Sequence, residues 1–224
     1  MIFIKDIKQK IINDLSLFVT QLGFVFHDGA WYADSKDLIK VIQIQHFTTD
    51  LARSFKTNTA TFNVNLGVYY KFFIERNESQ LSNSTNLLFF PKEYECHIRR
   101  CLLRDFNQDV PNKKLNQIDK RRKDIWYVND DSSNLDIVIE GVKRVLAKEG
   151  IKWFNQFSDL SYTFKFIKSS SEGNAWEGKP FSFGARNSPI RRKYIKDFSS
   201  RLEIGNKKGV MDKILSSIKR QKIS

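Results

Sequence analysis

The run from Thr59 to Tyr70 constrains this chain more than any other stretch. Phe62, Val64, Leu66, Val68 and Tyr70 fall on one side, and Thr61, Asn63, Asn65, Gly67 and Tyr69 on the other. Clean alternation of this kind predicts an antiparallel strand with one buried face. It argues against a doubly wound parallel sheet, whose strands are apolar on both sides. Upstream, Asp28-Gly29 separates Phe24-Val25-Phe26-His27 from Ala30-Trp31-Tyr32, a strong hairpin signal. Residues 38–47 give a third strand, with Ile42, Ile44 and His46 opposite Val41, Gln43, Gln45 and Phe47. Residues 94–104 and Ile125–Val128 return to the sheet, and residues 160–167 alternate like a further strand.

Helical periods flank these strands. Ile4, Ile7, Ile11, Leu15, Phe18, Val19 and Leu22 mark one face of a helix of roughly five turns, with Gly23 at its C-cap. From Ser132 the period turns helical again through Leu135, Val138, Ile139, Val142, Val145 and Leu146. Residues 76–86 are polar and aperiodic, the pattern of a surface loop. Two helices close the chain, at roughly 189–202 and 210–222. The expected fold is α+β: an antiparallel sheet of about five strands with an N-terminal helix and a C-terminal helical section. Residues 1–224 form one domain, of which 186–224 is a basic helical extension.

The charge follows the same division. The chain carries 38 Lys and Arg against 25 Asp and Glu, a formal +13. Residues 186–224 hold 12 of the bases and 3 acids, and residues 113–123 hold six bases against Asp119. The remainder is within one charge of neutral. A local basic field draws polyanions. On the helix expected at 189–202, Ile190, Tyr194, Ile195, Phe198 and Leu202 share one arc, while Arg192, Lys193, Lys196, Ser199 and Ser200 share the other, with Arg191 and Arg201 on the flanks. Candidate contacts to DNA or RNA phosphates are therefore Arg121, Arg122, Lys123, Arg191, Arg192, Lys193, Lys196, Lys213 and Arg220. Such contacts position a nucleic acid without reading its sequence. A solvated basic surface in a Lys-rich chain is the competing explanation.

Signals for catalysis are sparse. Neither a Gly-x-Ser-x-Gly elbow nor a Gly-Lys-Ser/Thr phosphate loop occurs. Cys96, His97 and Cys101 have no second ligand pair downstream, and His27 and His46 stand apart, so neither metal nor cofactor is expected. A metal-dependent nuclease would draw on Asp159, Glu177 and Lys179. Gln43, Gln45, Asn63 and Asn65 line the second sheet face, where they could bond a partner or be covered by the protein itself. No apolar run approaches the ~18 residues that would span a membrane. The opening Met1–Asp6 turns polar too soon for a signal peptide, and the two cysteines are too few for a disulfide framework, so a cytoplasmic protein is expected.

Several short motifs in order carry a resemblance. Leu22-Gly23-Phe24, Trp31-Tyr32, Ile42-Gln43-Ile44-Gln45 and the segment Phe62-Asn63-Val64-Asn65-Leu66-Gly67-Val68-Tyr69 resemble the bacterial domain-of-unknown-function family numbered 4304. Cys96–Arg100, the Trp126 strand and Asn187-Ser188-Pro189-Ile190 are similar to later parts of that pattern. The resemblance implies a bacterial, cytoplasmic α+β protein of the kind encoded among defence or toxin–immunity genes, and it transfers no catalytic residue. The expected function is a non-enzymatic accessory protein. It would bind a protein partner through the sheet face and aromatic loops, and nucleic acid through its basic segments. The alternatives are the nuclease above and an immunity protein that meets an acidic toxin.

Overall fold

The computed structural model describes residues 3–73, 89–105, 122–169 and 191–205, with the backbone of Phe181–Ser182. Its strands are β1 (Val25–His27), β2 (Ala30–Asp34), β3 (Leu38–His46), β4 (Phe62–Tyr70), β5 (Ile98–Cys101), β6 (Ile125–Trp126) and β7 (Phe181–Ser182). All pairings are antiparallel, in the order β1-β2-β3-β4-β5-β7, and β6 pairs with β4 beside β5. Five strands run three residues or more and two are two-residue pairs, which is the α+β sheet that the alternation predicts. The Asp28-Gly29 turn has positive φ at both residues, as a two-residue hairpin requires, and joins His27 to Ala30.

One sheet face carries the long helices. α1 (Ile4–Gln21) buries Ile7, Ile11, Leu15 and Val19, four residues apart each time, and Trp31 Nε1 donates to Ser16 Oγ at 3.0 Å. α3 (Leu135–Val145) runs through a π turn (Leu146–Gly150) into α4 (Ile151–Ser158) on the same core. The short α2 (Thr49–Ser54) lies between β3 and β4.

Residues 160–167 form helix rather than strand, within α5 (Leu160–Ser169). Its first turn is capped: Asp159 Oδ1 accepts from Ser161 N at 2.8 Å and Tyr162 N at 3.2 Å. Thr163 and Ile167, four apart, are buried, and the Tyr162 and Phe166 rings both lean on Phe157. Alternating aromatics at 162, 164 and 166 imitate a strand, and the cap and the Phe157 contact decide for helix.

The last described helix, α6 (191–205), belongs to the same core. Phe198 is fully buried among Tyr70, Phe72 and Phe73, with ring centroids 5.0 Å apart in each pair. Tyr194 packs on Phe73 at 4.4 Å and on His97 at 5.7 Å. Arg201 pairs with Asp37 in the β2–β3 turn. The expected helix 210–222, the loop 76–86 and most of segment 113–123 lie outside the described residues.

Two measurements check this packing. Phe198→Ala should cost about 3–5 kcal/mol in urea unfolding, whereas Arg192→Ala on the exposed side should stay within about 0.5 kcal/mol. His97 accepts the Tyr70 N–H on Nδ1 at 2.9 Å, and burial lowers its pKa from 6.5 to about 3. His46, half-buried with Nδ1 against Ala60 O, is lowered to about 4 for the same reason. The unfolded chain then takes up protons below pH 6.5 that the folded one refuses. Stability should fall between pH 6.5 and 5 by up to about 1.4 kcal/mol per pH unit for each histidine. His97→Gln should flatten that slope by close to one proton's worth.

Candidate nucleic-acid interface

Two helices set out the cationic surface. α6 buries Tyr194 and Phe198, so residues 192, 193 and 196 turn outward, and Arg192, Lys193 and Lys196 are exposed. On α5, burial of Thr163 and Ile167 turns Lys165 and Lys168 outward. Arg191 joins the two helices: its Nε donates to the Ile167 carbonyl at 2.9 Å, and Nη2 donates to the same oxygen. That carbonyl lies in the last turn of α5, where helix carbonyls lack intrahelical donors and the dipole favours a cation. Residues 160–169 and 191–205 together hold seven Lys and Arg against two acids.

Arg191 is therefore not a surface contact. It is 1% exposed, because it lies where the two helices meet rather than on the solvent flank. The other expected contacts divide. Arg192, Lys193 and Lys196 are exposed on α6, and α5 adds exposed Lys165 and Lys168, which a strand reading of that segment does not reveal. Arg121, Lys213 and Arg220 lie outside the described residues.

Arg122 and Lys123 belong to a different place. They open the segment 122–128, which contains β6 and so pairs with β4 beside β5. Arg122 binds Asp124 through Nε at 2.8 Å and Nη2 at 2.7 Å, and its guanidinium lies 5.8 Å from the Phe55 ring. Asp124 is itself buried, and Asn63 Nδ2 donates to its carbonyl at 2.8 Å and its carboxylate at 3.0 Å. Nearby, Arg104 lies 5.2 Å from the Tyr127 ring, and its main-chain N–H donates to Lys123 O at 2.7 Å.

The amides of this second face bond within the protein. Gln43 Oε1 accepts from Glu93 N at 3.2 Å, Gln45 Oε1 from Asn65 Nδ2 at 3.0 Å, and Asn65 Oδ1 from Cys101 Sγ at 3.3 Å. Apolar clusters close both ends, Phe89 and Phe90 over Tyr32 and Val41 at one, Phe47, Phe55 and Tyr127 at the other. The amides of the face expected to receive a protein partner are thus bonded within the protein, while Gln45 stays exposed.

The nuclease residues do not gather into a described site. Asp159 spends its carboxylate on the α5 cap, and Glu177 and Lys179 lie outside the described residues. Among the described residues no three His, Cys, Asp or Glu side chains could hold a metal ion. Cys96 is buried against Gly67, where a Cβ would come within 2.5 Å of its sulfur, and burial raises its pKa well above the usual thiol value. Cys101 is pushed up to about 12 by burial and by the neighbouring Asp124 charge, so neither thiol is poised as a nucleophile. Among the described residues no helix is long and apolar enough to cross a membrane.

No curated protein and no solved structure matches the chain. One family does, over residues 17–156, from within α1 to the end region of α4, and so without α5 and α6. That is well over half of the 224 residues, and the chain belongs to this family, a domain of unknown function designated DUF4304.

Proposed function

We propose that this chain works by binding rather than by catalysis, and that the α5–α6 surface docks onto the phosphate backbone of a nucleic acid. The observation that carries the reading is the placement of Lys165, Lys168, Arg192, Lys193 and Lys196. All five are exposed, on two helices that Arg191 fastens together. Exposed cations suit phosphates, whose position they fix without distinguishing bases. The helices are held by a buried aromatic core, so the surface is presented on rigid elements. In this reading the protein is an accessory factor with weak sequence preference. A defence or immunity role, expected from the family resemblance, would place that binding beside a protein partner.

A titration against single- and double-stranded oligonucleotides at several salt concentrations tests it. The parent should bind with a slope of log K against log salt between about −2 and −4, reflecting released counterions. Changing all five residues to Ala should weaken binding at least tenfold at about 50 mM salt and bring the slope toward zero. A parent that binds neither oligonucleotide overturns the reading and leaves an acidic protein surface as the target. Unchanged affinity in the five-residue variant overturns it as well.

A further inference from the structure

Two guanidinium groups lie against one aromatic cluster at the end of the sheet away from α6, and only one has a counter-charge. Arg122, above Phe55, is held bidentately by Asp124. Arg104, above Tyr127, has no such partner among the described residues. Among the described residues its side chain bonds from Nη2 to the Arg122 carbonyl at 3.5 Å, and its Nε is buried without an acceptor there. Asp124 acts on it electrostatically without bonding it, and the Arg122 fork and Asn63 already bind that carboxylate.

A half-buried cation without an anion is costly, because burial removes water and nothing ionic replaces it. Burial accordingly lowers the Arg104 pKa from its ordinary value, against the pull of Tyr127 and Asp124. The position is nonetheless well fixed. The guanidinium lies 5.2 Å from the centre of the Tyr127 ring, within cation–π range, and the bond from Arg104 N to Lys123 O ties the main chain to the segment 122–128. With Nε closed off from solvent, the Nη end of the planar guanidinium is the part that an oxyanion can meet, in the bidentate manner that suits a phosphate.

We propose that Arg104 anchors an oxyanion site that takes a phosphate group, on the second sheet face beside Tyr127. The phosphate comes either free, as inorganic phosphate or a small phosphate ester, or within a nucleic-acid backbone. The site is separate from the α5–α6 surface. It lies near the Phe62 end of β4, whereas α6 packs at the Tyr70 end, a separation on the order of 20 Å along the strand.

The test uses the full chain and inorganic phosphate, with chloride added to equal ionic strength as the control. Phosphate should raise the melting temperature saturably, and the Arg104 Nε–H resonance should shift along the same isotherm. Arg104→Lys, which keeps the charge and loses the fork, should bind phosphate at least tenfold more weakly, and Arg104→Ala should lose the effect. Changing the five α5–α6 cations should leave it intact, which separates failure of this site from failure of the other. An oligonucleotide that displaces phosphate from Arg104 identifies the backbone as the source, and one that does not identifies a free phosphate. No saturable response in the parent overturns the site. So does an undiminished response in Arg104→Lys, or an Nε–H resonance that phosphate leaves unmoved.

Discussion

β4 is the member from which the rest of this structure hangs. It pairs with β3 along one edge and with β5 and β6 along the other. One face of it supplies Phe62, Val64, Leu66, Val68 and Tyr70 to the core beneath the helices. The other face supplies Asn63 and Asn65 to the amide network and Gly67 to the space that Cys96 fills. Because side chains alternate with a period of two, a slip of one residue would exchange these roles throughout. The register of β4 therefore decides at once where the helices lie and how the second face is closed.

The C-terminal helix depends on that register through Tyr70. Its hydroxyl donates to Phe157 O at 2.8 Å and lies 3.0 Å from Thr163 Oγ1, which ties the α4–α5 corner to the sheet, while its ring receives Phe198. With α5 fixed there, the Ile167 carbonyl is in place to receive Arg191. Consecutive arginines then meet opposite fates: Arg191 is enclosed between helices, and Arg192 faces solvent. The residues that match the family stop at 156, so the helices that complete this core and carry the exposed cations lie beyond the matched portion.

What was legible in the sequence tracks the range of the interactions involved. The hairpin, β3, β4 and α1 follow from local period and turn chemistry, and each stands where those signals place it. The arc of apolar residues on α6 is equally local. The misreading of α5 came from aromatics whose contacts are with Phe157, a residue outside the window that shows the alternation. The polar amides of the second face give a true pattern with an open meaning, since only the tertiary structure shows that Glu93 N, Cys101 and Asp124 bond them. Arg191 and Arg104 were out of reach for a related reason. An arginine's burial and its lack of a counter-ion are set by partners distant in the chain, and no spacing rule encodes them.

The contrast between Arg104 and Arg122 also bears on the meaning of the +13 charge. Both arginines lie against aromatic rings at the same end of the sheet, yet Asp124 pairs with Arg122, so Arg122 adds little to the local field there. At the other end the exposed cations of α5 and α6 stand on the helical side, while Arg104 and Tyr127 stand on the second face. A stiff duplex laid on one surface cannot also lie on the other. The two features should then behave as independent sites whose energies add, since they share neither a partner nor a contact. The chain's net charge is a sum over surfaces that face different ways, and each acts only on what approaches its own side.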